Sequence, residues 1–350
     1  MILPDLTGWP EDFHSGCVFH AARQRGIPVK RIMAPREHGG VPEPWLSFAV
    51  GGRGYFYSQA ILISNPDPAD SSQAHHVNRQ LAHVTVDKYA TKRLLVELGV
   101  PVPSGERFAA GDVEKAEAMF MEMRRPVCLK PSRAEQGRSV YPWLCDRPAF
   151  LEAFHAAGRA YRELVVEEHV EGEQVRLFYV RPSVIGLRLD RPANVVADGK
   201  RSIAELVAAK NEERRRRASP GAFPVLLDRE AHRYLSQQGL ALESRPAAGK
   251  RVFLRGTSNP GTGADTIDCR PFLHPSYVRL VEDFCGRLPD MRLVAVDMMM
   301  ADPTRPAECG NHWVLELNGA PGLTSFYFPW EGEPQDVAGA LIERLMVDQW

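Results

Sequence analysis

Hydrophobic and polar positions recur along this chain with two different periods, and each period predicts its own kind of element. After Asp87, which can cap a helix, apolar residues recur at spacings of three and four until Gly99 ends the pattern. The same helical spacing follows Asp112. The apolar runs at 127–130 and 164–170 are too short for that period and predict strands. The middle of the chain therefore predicts helices and strands in mixed order.

The second half of the chain predicts further strands and one well-marked helix start. Ser202 and Glu205 have the spacing of a capping box, in which two side chains satisfy free N–H groups at the first turn. The segments 291–300 and 312–319 are both β-prone, and the Pro-, Asp- and Gly-rich loop between them predicts a hairpin. The other predicted elements are strands at 60–64, 175–180, 183–190 and 251–255, a helix near 276–287 and a closing helix marked by Val337, Leu341, Ile342 and Leu345.

Length and composition limit the class of protein. A chain of 350 residues exceeds what one hydrophobic core usually supports, so two or three packed units are expected. The net charge of -1 gives no reason to expect a nucleic-acid partner. No apolar run reaches about 18 residues, and the first residues lack the basic and then apolar pattern of a signal peptide. We therefore expect a cytoplasmic protein without a membrane partner; a homo-oligomer is compatible with the sequence.

The six cysteines are scattered along the chain. No two of them form a CxxC pair, and none has a histidine partner at the spacing of a zinc site. We expect them to be reduced and mostly buried, and we assign no chemistry to them.

A run of four arginines, Arg214 to Arg217, ends the helix that begins after Ser202. Four adjacent cations could bind a phosphate or an acidic substrate. Cations are also favoured at the carbonyl end of a helix, where they are solvated and meet the helix dipole. We favour the second interpretation, a solvated helix face.

The predicted hairpin combines apolar residues with oxygen-bearing side chains. Side chains alternate faces along a strand, so Glu316 and Asn318 share one face. Leu315 and Leu317 then point to the opposite face. Asp297 lies late on the preceding strand, where pairing can bring it beside the first two, and two carboxylates with one amide oxygen suit Mg²⁺. Taken alone, the pattern fits the polar face of an amphipathic hairpin equally well.

Other segments add cations and hydrogen-bond donors to these oxygen ligands. Lys130 ends an apolar strand, where packing alone does not account for a charged side chain. The loop after it carries Ser132, Gly137 and Ser139, whose hydroxyl and backbone donors can hold phosphate groups. Arg255 ends another predicted strand before GTSNPGTG and suits a developing negative charge. Neither GxxxxGK[ST] nor GxGxxG occurs, so phosphate chemistry is predicted without a P-loop or dinucleotide fold.

Eight short segments carry a resemblance to a known family. They are, in order, VDKYATKRLL (86–95), VCLKP (127–131), EQGRSV (135–140), VVEEHVEG (165–172), RPANVVADGKRSIAEL (191–206), LRGTSNPGTGADTID (254–268), VAVDMMMAD (294–302) and LELNGAPGL (315–323). Their order resembles the ATP-grasp superfamily, in particular the ATP-grasp part of bifunctional glutathione synthetase and of cyanophycin synthetase. The last two segments are similar to the metal strands of D-alanine–D-alanine ligase. The resemblance implies an α+β fold in which two α+β subdomains clasp ATP, after a small α/β N-terminal domain.

The resemblance also implies which residues bind ATP. Lys88 and Lys130 would contact its phosphates, and the backbone of a hinge at 167–170 would pair with the edge of adenine. The full set of implied ATP contacts is Lys88, Lys130, Ser132, Gln136, Gly137, Ser139, Glu167, Glu168, His169, Val170, Glu173 and Gln174.

The same resemblance implies a metal site and a set of catalytic residues. Asp297, Glu316 and Asn318 would hold two Mg²⁺ ions, for which Mn²⁺ can substitute. The implied catalytic residues are Arg255, Lys130 and Arg176. GAPGL (319–323), which follows the metal strand, would border the acceptor substrate.

Two positions depart from the family pattern. Where relatives carry an acidic residue for the ribose, this sequence has Gln174 beside Glu173, so either residue could make that contact. Ser139 occupies a position of the phosphate loop where glycine is common, which predicts a stiffer loop.

These implications divide the chain and predict a reaction. We expect an N-terminal domain at 1–84, a central part at 85–172 with a lid at about 127–171, and a C-terminal part at 173–350. The predicted activity is ATP-dependent ligation of a carboxylate to an amino acid or peptide amine through an acyl phosphate, in a specialised biosynthetic pathway. Two alternatives stay open: a ligase for substrates other than amino acids, and a nucleotide-binding regulator without turnover.

Overall fold

A computed structural model describes residues 3–9, 12–34, 42–67, 71–134, 138–220 and 223–347. Their strands form two five-stranded sheets, one four-stranded sheet and a two-stranded ribbon, and neighbouring strands pair antiparallel throughout. Among the helices in those ranges, none is long and apolar enough to cross a membrane.

The N-terminal part is a five-stranded sheet with one helix packed on it. The helix α1 (Phe13–Gln24) begins after Asp12, whose side chain accepts a hydrogen bond from Ser15 N. The strands, in sheet order, are β1 (Val29–Ala34), β2 (Glu43–Val50), β3 (Arg53–Ser58), β4 (Ile61–Asn65) and β5 (His75–His76). Only β4 corresponds to a predicted strand, because the periodicity of the other segments in this part of the sequence is weak.

The next part is a four-stranded sheet with two helices on one face. The short helix α2 (Leu81–Thr85) leads into α3 (Lys88–Glu97), which Asp87 caps by accepting from Tyr89 N and Ala90 N, as predicted. The strands, in sheet order, are β6 (Gly105–Ala109), β9 (Glu163–Glu168), β7 (Val127–Pro131) and β8 (Tyr141–Leu144), and the helices are α4 (Val113–Glu122) and α5 (Arg147–Gly158). The helices and one face of the sheet enclose a core of aliphatic and phenylalanine side chains, which leaves the other face for polar groups.

A second five-stranded sheet forms the C-terminal part. Its order is β14 (Asp265–Asp268), β11 (Ser183–Arg191), β10 (Glu173–Val180), β15 (Leu293–Met300) and β16 (His312–Asn318). One face packs on α8 (Ser276–Gly286) in an apolar core. On the other face, Phe178 and Val180 share a core with α1, with the short helix α9 (Thr324–Tyr327) and with the closing helix α10 (Val337–Val347). The helices α1 and α10, which are far apart in the sequence, are therefore joined in one core.

A small unit is inserted between β11 and β14. It contains the ribbon of β12 (Asn194–Val196) and β13 (Arg251–Phe253) and the helices α6 (Ile203–Arg217) and α7 (Arg229–Gln237), around a core of its own. The predicted capping box at the start of α6 is confirmed, because Glu205 N donates to Ser202 Oγ and Ser202 N donates to the Glu205 carboxylate.

The predicted hairpin is confirmed as β15 and β16, but the prediction for Leu315 is wrong. The register shifts between Asp297 and Met298, so a bulge interrupts the alternation of faces. Val314 and Leu317 are buried in the core, while Leu315 is only half-buried. Glu316 still pairs directly with Asp297, as the metal prediction requires.

Candidate active site

A row of five charged residues crosses the polar face of the C-terminal sheet, one on each strand. From β14 to β16 the row is Asp268, Arg188, Arg176, Asp297 and Glu316, each in register with the next. Residues directly opposite each other in a sheet share a face, so all five side chains lie on one surface. Arg188 and Asp268 were missed from the sequence.

Two of these residues form a buried ion pair. Arg176 Nε and Nη2 donate to the two oxygens of Asp297, each at 2.6 Å. The pKa of Asp297 is raised to about 6. Burial is the largest cause and the neighbouring Glu316 adds to it, while Arg176 opposes the shift. Two neighbouring carboxyl groups with pKa values shifted in this way are a candidate cation site.

The second carboxylate of the pair binds a lysine from another part of the chain. Lys88 Nζ lies 2.9 Å from Glu316 Oε2 and also donates to Ala134 O, in the loop after β7, at 2.6 Å. Burial alone would raise the pKa of Glu316, but Lys88 and then Arg176 lower it. Lys88 therefore joins the metal strand to the predicted phosphate loop.

The predicted metal ligands fit a divalent cation in charge and in ligand type. Asp297 and Glu316 supply carboxylates, and Asn318, which pairs with Ala295 and lies two residues beyond Glu316, supplies an amide oxygen. That oxygen already accepts from Ala320 N at 3.0 Å, which fixes its position and leaves a second lone pair. In the described ranges, no three or more His, Cys, Asp or Glu side chains group to hold a metal. The assignment of Asn318 as a third ligand stays a prediction.

We predict that cation binding at this pair depends on pH. The raised pKa of Asp297 means that a proton must leave before the cation binds, so affinity is expected to be constant above about pH 6 and to fall about tenfold per unit below it. Calorimetry with Mg²⁺ in buffers of different ionisation enthalpy measures this proton. We expect release of about one proton per site near pH 5 and none near pH 8. Equal release at both pH values would contradict the assignment.

A buried triad of charges lies on the polar face of the four-stranded sheet. Glu167 accepts from Lys130 Nζ at 2.5 Å and from Lys92 Nζ at 2.6 Å, and all three side chains are less than a tenth exposed. Burial raises the pKa of Glu167, but the two lysines outweigh it and lower the pKa. Burial lowers the pKa of Lys130, and Glu167 more than offsets this. Lys130 therefore keeps its charge at neutral pH.

The predicted hinge follows this triad at the end of β9. Glu168 N donates to Ser104 O at 2.8 Å and His169 N donates to Pro126 O at 3.2 Å. The backbone N–H of Val170, by contrast, forms no hydrogen bond to any part of the chain that the structure describes. The hinge thus presents one free donor of the kind that an adenine ring nitrogen accepts. The ring of Trp143, on the lid strand β8, packs edge-on against His169 at 5.1 Å.

The predicted phosphate loop is described in part. Gln136 and Gly137 lie outside the described residues. Ser139 has a φ of 54°, a left-handed conformation that glycine adopts at lower cost, which fits the departure noted from the family pattern. The hydroxyl of Ser132 is buried and donates to Asp87 Oδ1 at 2.7 Å, so its proton is engaged at the cap of α3.

The two candidate ribose residues lie on opposite faces of β10. Gln174 is two residues before Arg176 and pairs with Asp190, so it shares the face of the charged row. Glu173 is on the other face, where its carboxylate lies 3.6 Å from Arg191 Nη2. The geometry therefore favours Gln174.

Arg255 lies in the small unit, apart from the charged row. Its guanidinium is buried and binds Asp228 and Glu230, at the start of α7. Its Nε–H is also buried and has no hydrogen-bond partner among the described residues. The next residue, Gly256, packs against Pro142 of the lid strand. Arg255 thus lies next to a residue that contacts β8, the strand of the predicted lid, and its predicted catalytic role stays a prediction.

The prediction of a solvated arginine run is wrong for Arg214. This side chain is buried, and its guanidinium donates to Asp265 Oδ1 and Gly263 O. Arg217 stacks over the ring of Trp330 at 4.0 Å, whereas Arg215 is exposed as predicted. The carboxylate of Asp265, at the start of β14 and distant in the sequence, is what draws Arg214 inward.

Comparisons with known proteins find relatives of this chain both in sequence and in structure. Over 267 residues, the chain is 30% identical to cyanophycin synthetase of Trichormus variabilis, an alignment that covers 75% of this chain and 29% of that protein. Identity to the glutathione biosynthesis bifunctional protein of Clostridium perfringens is 28% over 267 residues, covering 75% and 34%. The crystal structure of a bifunctional glutathione synthetase from Pasteurella multocida matches 98% of this chain and 45% of that one, with 24% identity and a TM-score of 0.64.

The chain has the ATP-grasp fold. The predicted resemblance and the predicted α+β fold class are thereby confirmed. No protein-family model matches the chain. The chain spans only about a third of the length of the curated relatives it matches.

Proposed function

We propose that this protein is an ATP-dependent ligase that joins a carboxylate to the amine of an amino acid or peptide and releases ADP and phosphate. The observation that carries the proposal is the meeting of two walls: the charged row of the C-terminal sheet, and the polar face of the four-stranded sheet that carries Lys130. Asp297 and Glu316 supply paired carboxylates on one wall. Lys88 bridges to the other wall, where Lys130 is held charged. Paired carboxylates for metal beside fixed cations are what phosphoryl transfer requires.

ATP is proposed to lie between the two walls. The free N–H of Val170 would bind the adenine edge, and Gln174, on the face of the charged row, would bind the ribose. Lys130 and Lys88 would then contact the phosphates, together with the loop that carries Ser139. Glu167 supports this site indirectly, since both oxygens of its carboxylate are engaged by lysines.

Two Mg²⁺ ions are proposed to be held by Asp297, Glu316 and Asn318. When bound, they would screen the negative charge of the phosphates during transfer. Arg176 and Lys88 pair with the two carboxylates in this structure. They are proposed to contact the phosphates of ATP as well.

The reaction follows from the poor reactivity of a carboxylate. A carboxylate oxygen takes the γ-phosphoryl group of ATP, which forms an acyl phosphate and breaks the bond to ADP. The amine of the second substrate then attacks the carbonyl carbon, forms the C–N bond, loses a proton and expels phosphate. Arg255 and Arg176 are proposed to stabilise the negative oxygen of this step. The contact of Trp143 with the hinge would help the lid to exclude water.

Trapping with hydroxylamine tests this function. Hydroxylamine replaces the amine, so an acid that forms an acyl phosphate gives a hydroxamate together with ADP. We expect one carboxylate from a panel of amino acids and short peptides to give both products, and a standard amino acid to replace hydroxylamine afterwards. Hydroxamate from other acids alone would favour the ligase for different substrates. Nucleotide binding without hydroxamate from any acid would favour the regulator.

A cytoplasmic location and a homo-oligomer stay predictions.

A further inference from the structure

One ring nitrogen of the N-terminal helix receives several hydrogen bonds from the segment after the metal strand. Nδ1 of His14 accepts from Leu323 N at 3.1 Å and from Thr324 N at 3.4 Å. It also lies 2.9 Å from Thr324 Oγ1. A nitrogen that accepts from backbone N–H groups carries no proton itself, so the neutral ring is protonated at Nε2. Burial lowers the pKa of His14, which keeps the ring in this form.

Both glycines of the same segment are in close contact with N-terminal side chains. A Cβ added to Gly322 would lie 2.9 Å from His14 Cε1. A Cβ added to Gly319 would lie 3.4 Å from Asn78 Nδ2 in the N-terminal part and would clash with Thr85 Oγ1 in α2, just after that part. These two positions lack side chains because the first part of the chain occupies the space. The segment 319–325, here called the acceptor loop, is therefore fitted to the N-terminal part along its length.

The acceptor loop also reaches the charged row. It begins one residue after Asn318, whose oxygen accepts from Ala320 N. At its other end, Ser325 Oγ accepts from Arg188 Nη1. The same guanidinium also donates to both oxygens of Asp190. His14 is thus the N-terminal attachment of a loop whose two ends touch the proposed reaction centre.

We propose that His14 is a positioning residue for the amine substrate. By holding Leu323 and Thr324, it fixes the acceptor loop at the distance from Arg188 at which the amine can meet the acyl phosphate. The N-terminal part would then contribute to the second half-reaction and not to the first. The inference rests on the proposed function, since it assigns a residue to the second substrate of the same site.

Replacement of His14 by leucine and by asparagine tests this role. Leucine fills much of the volume but accepts no hydrogen bond, whereas Oδ1 of asparagine can take the place of Nδ1. Because the donors of Leu323 and Thr324 would lose their acceptor, His14→Leu is expected to raise the KM of the acceptor amino acid by about tenfold or more. Hydroxamate formation should change less than about twofold, because hydroxylamine is small and needs no positioning. His14→Asn should restore the acceptor KM to within about threefold.

Arg25→Ala is the matched control, since Arg25 lies just after the same helix and binds Glu343 on α10 instead of the acceptor loop. It should leave the acceptor KM unchanged. An unchanged acceptor KM in His14→Leu overturns the inference, and so does a His14→Asn variant as impaired as His14→Leu, which would mean a packing role. Absence of hydroxamate with the unmodified protein would instead defeat the proposed function itself.

Discussion

Glu316→Gln is expected to lower ADP formation by about 10²- to 10³-fold and to leave the fold intact. The substitution removes one negative charge from the proposed metal pair but keeps an oxygen at the same position. Lys88 can still donate to that oxygen and to Ala134 O, so no buried cation is left alone. Glu316 is a better choice than Asp297, because its side chain is 28% exposed whereas that of Asp297 is 2% exposed.

The measurement is the initial rate of ADP release at increasing Mg²⁺, with thermal unfolding as the check on the fold. The concentration of Mg²⁺ for half-maximal rate should rise along with the loss of rate. Asp302→Asn is the control, since Asp302 lies in the loop of the same hairpin and its carboxylate accepts from the backbone N–H and the hydroxyl of Thr304, away from the charged row. Both variants should unfold within about 3 °C of the unmodified protein. Turnover near that of the unmodified protein in Glu316→Gln would mean that the metal assignment is wrong.

Local features of this fold could be predicted because they depend on residues close in the chain. Asp87 caps α3 and the Ser202–Glu205 pair caps α6, and each bond spans two or three residues. The alternation along β16 likewise predicted that Glu316 and Asn318 share a face. Short-range chemistry of this kind needs no knowledge of the tertiary structure.

Features set by strand register could not be predicted in the same way. Arg188 is a charged residue in an apolar strand, as Lys130 is, and it sits between two leucines. Only the pairing of β11 with β10 places it beside Arg176. The bulge after Asp297 also depends on pairing, and it moved Leu315 out of the core. Periodicity within one strand does not report which residues lie opposite on the next.

Ion pairs between distant residues explain one pair that the sequence did not predict and one prediction that was wrong. Lys92 and Glu167 are 75 positions apart, and the sequence suggested no link between them. Arg214 was assigned to a solvated face because nothing in α6 indicates that Asp265 lies beneath it. A charged residue can be buried only with a partner, and the partner in both cases came from another element.

The triad of Lys92, Glu167 and Lys130 predicts a second large effect. Glu167→Gln is expected to cost about 3–5 kcal/mol of the free energy of unfolding, because it leaves two buried lysines without their counter-charge. Burial already lowers the pKa of Lys92 despite the pair, so this lysine should lose its proton first. Chemical denaturation at neutral pH measures the loss, and ATP affinity should fall because Lys130 is no longer held in place.

The sign of the pH dependence separates this effect from simple loss of packing. Two lysines hold the pKa of Glu167 below its usual 4.5, so its contribution to stability is fully present above that value and is lost as pH falls through the folded-state pKa. The deficit of Glu167→Gln should therefore shrink below about pH 4.

Adding Lys92→Met to Glu167→Gln should recover much of the loss by removing the uncompensated charge. Glu163→Gln, at the exposed start of the same strand, should cost less than about 1 kcal/mol. A deficit that does not change with pH, and that the second substitution does not reduce, would show that Glu167 acts through its shape and not its charge.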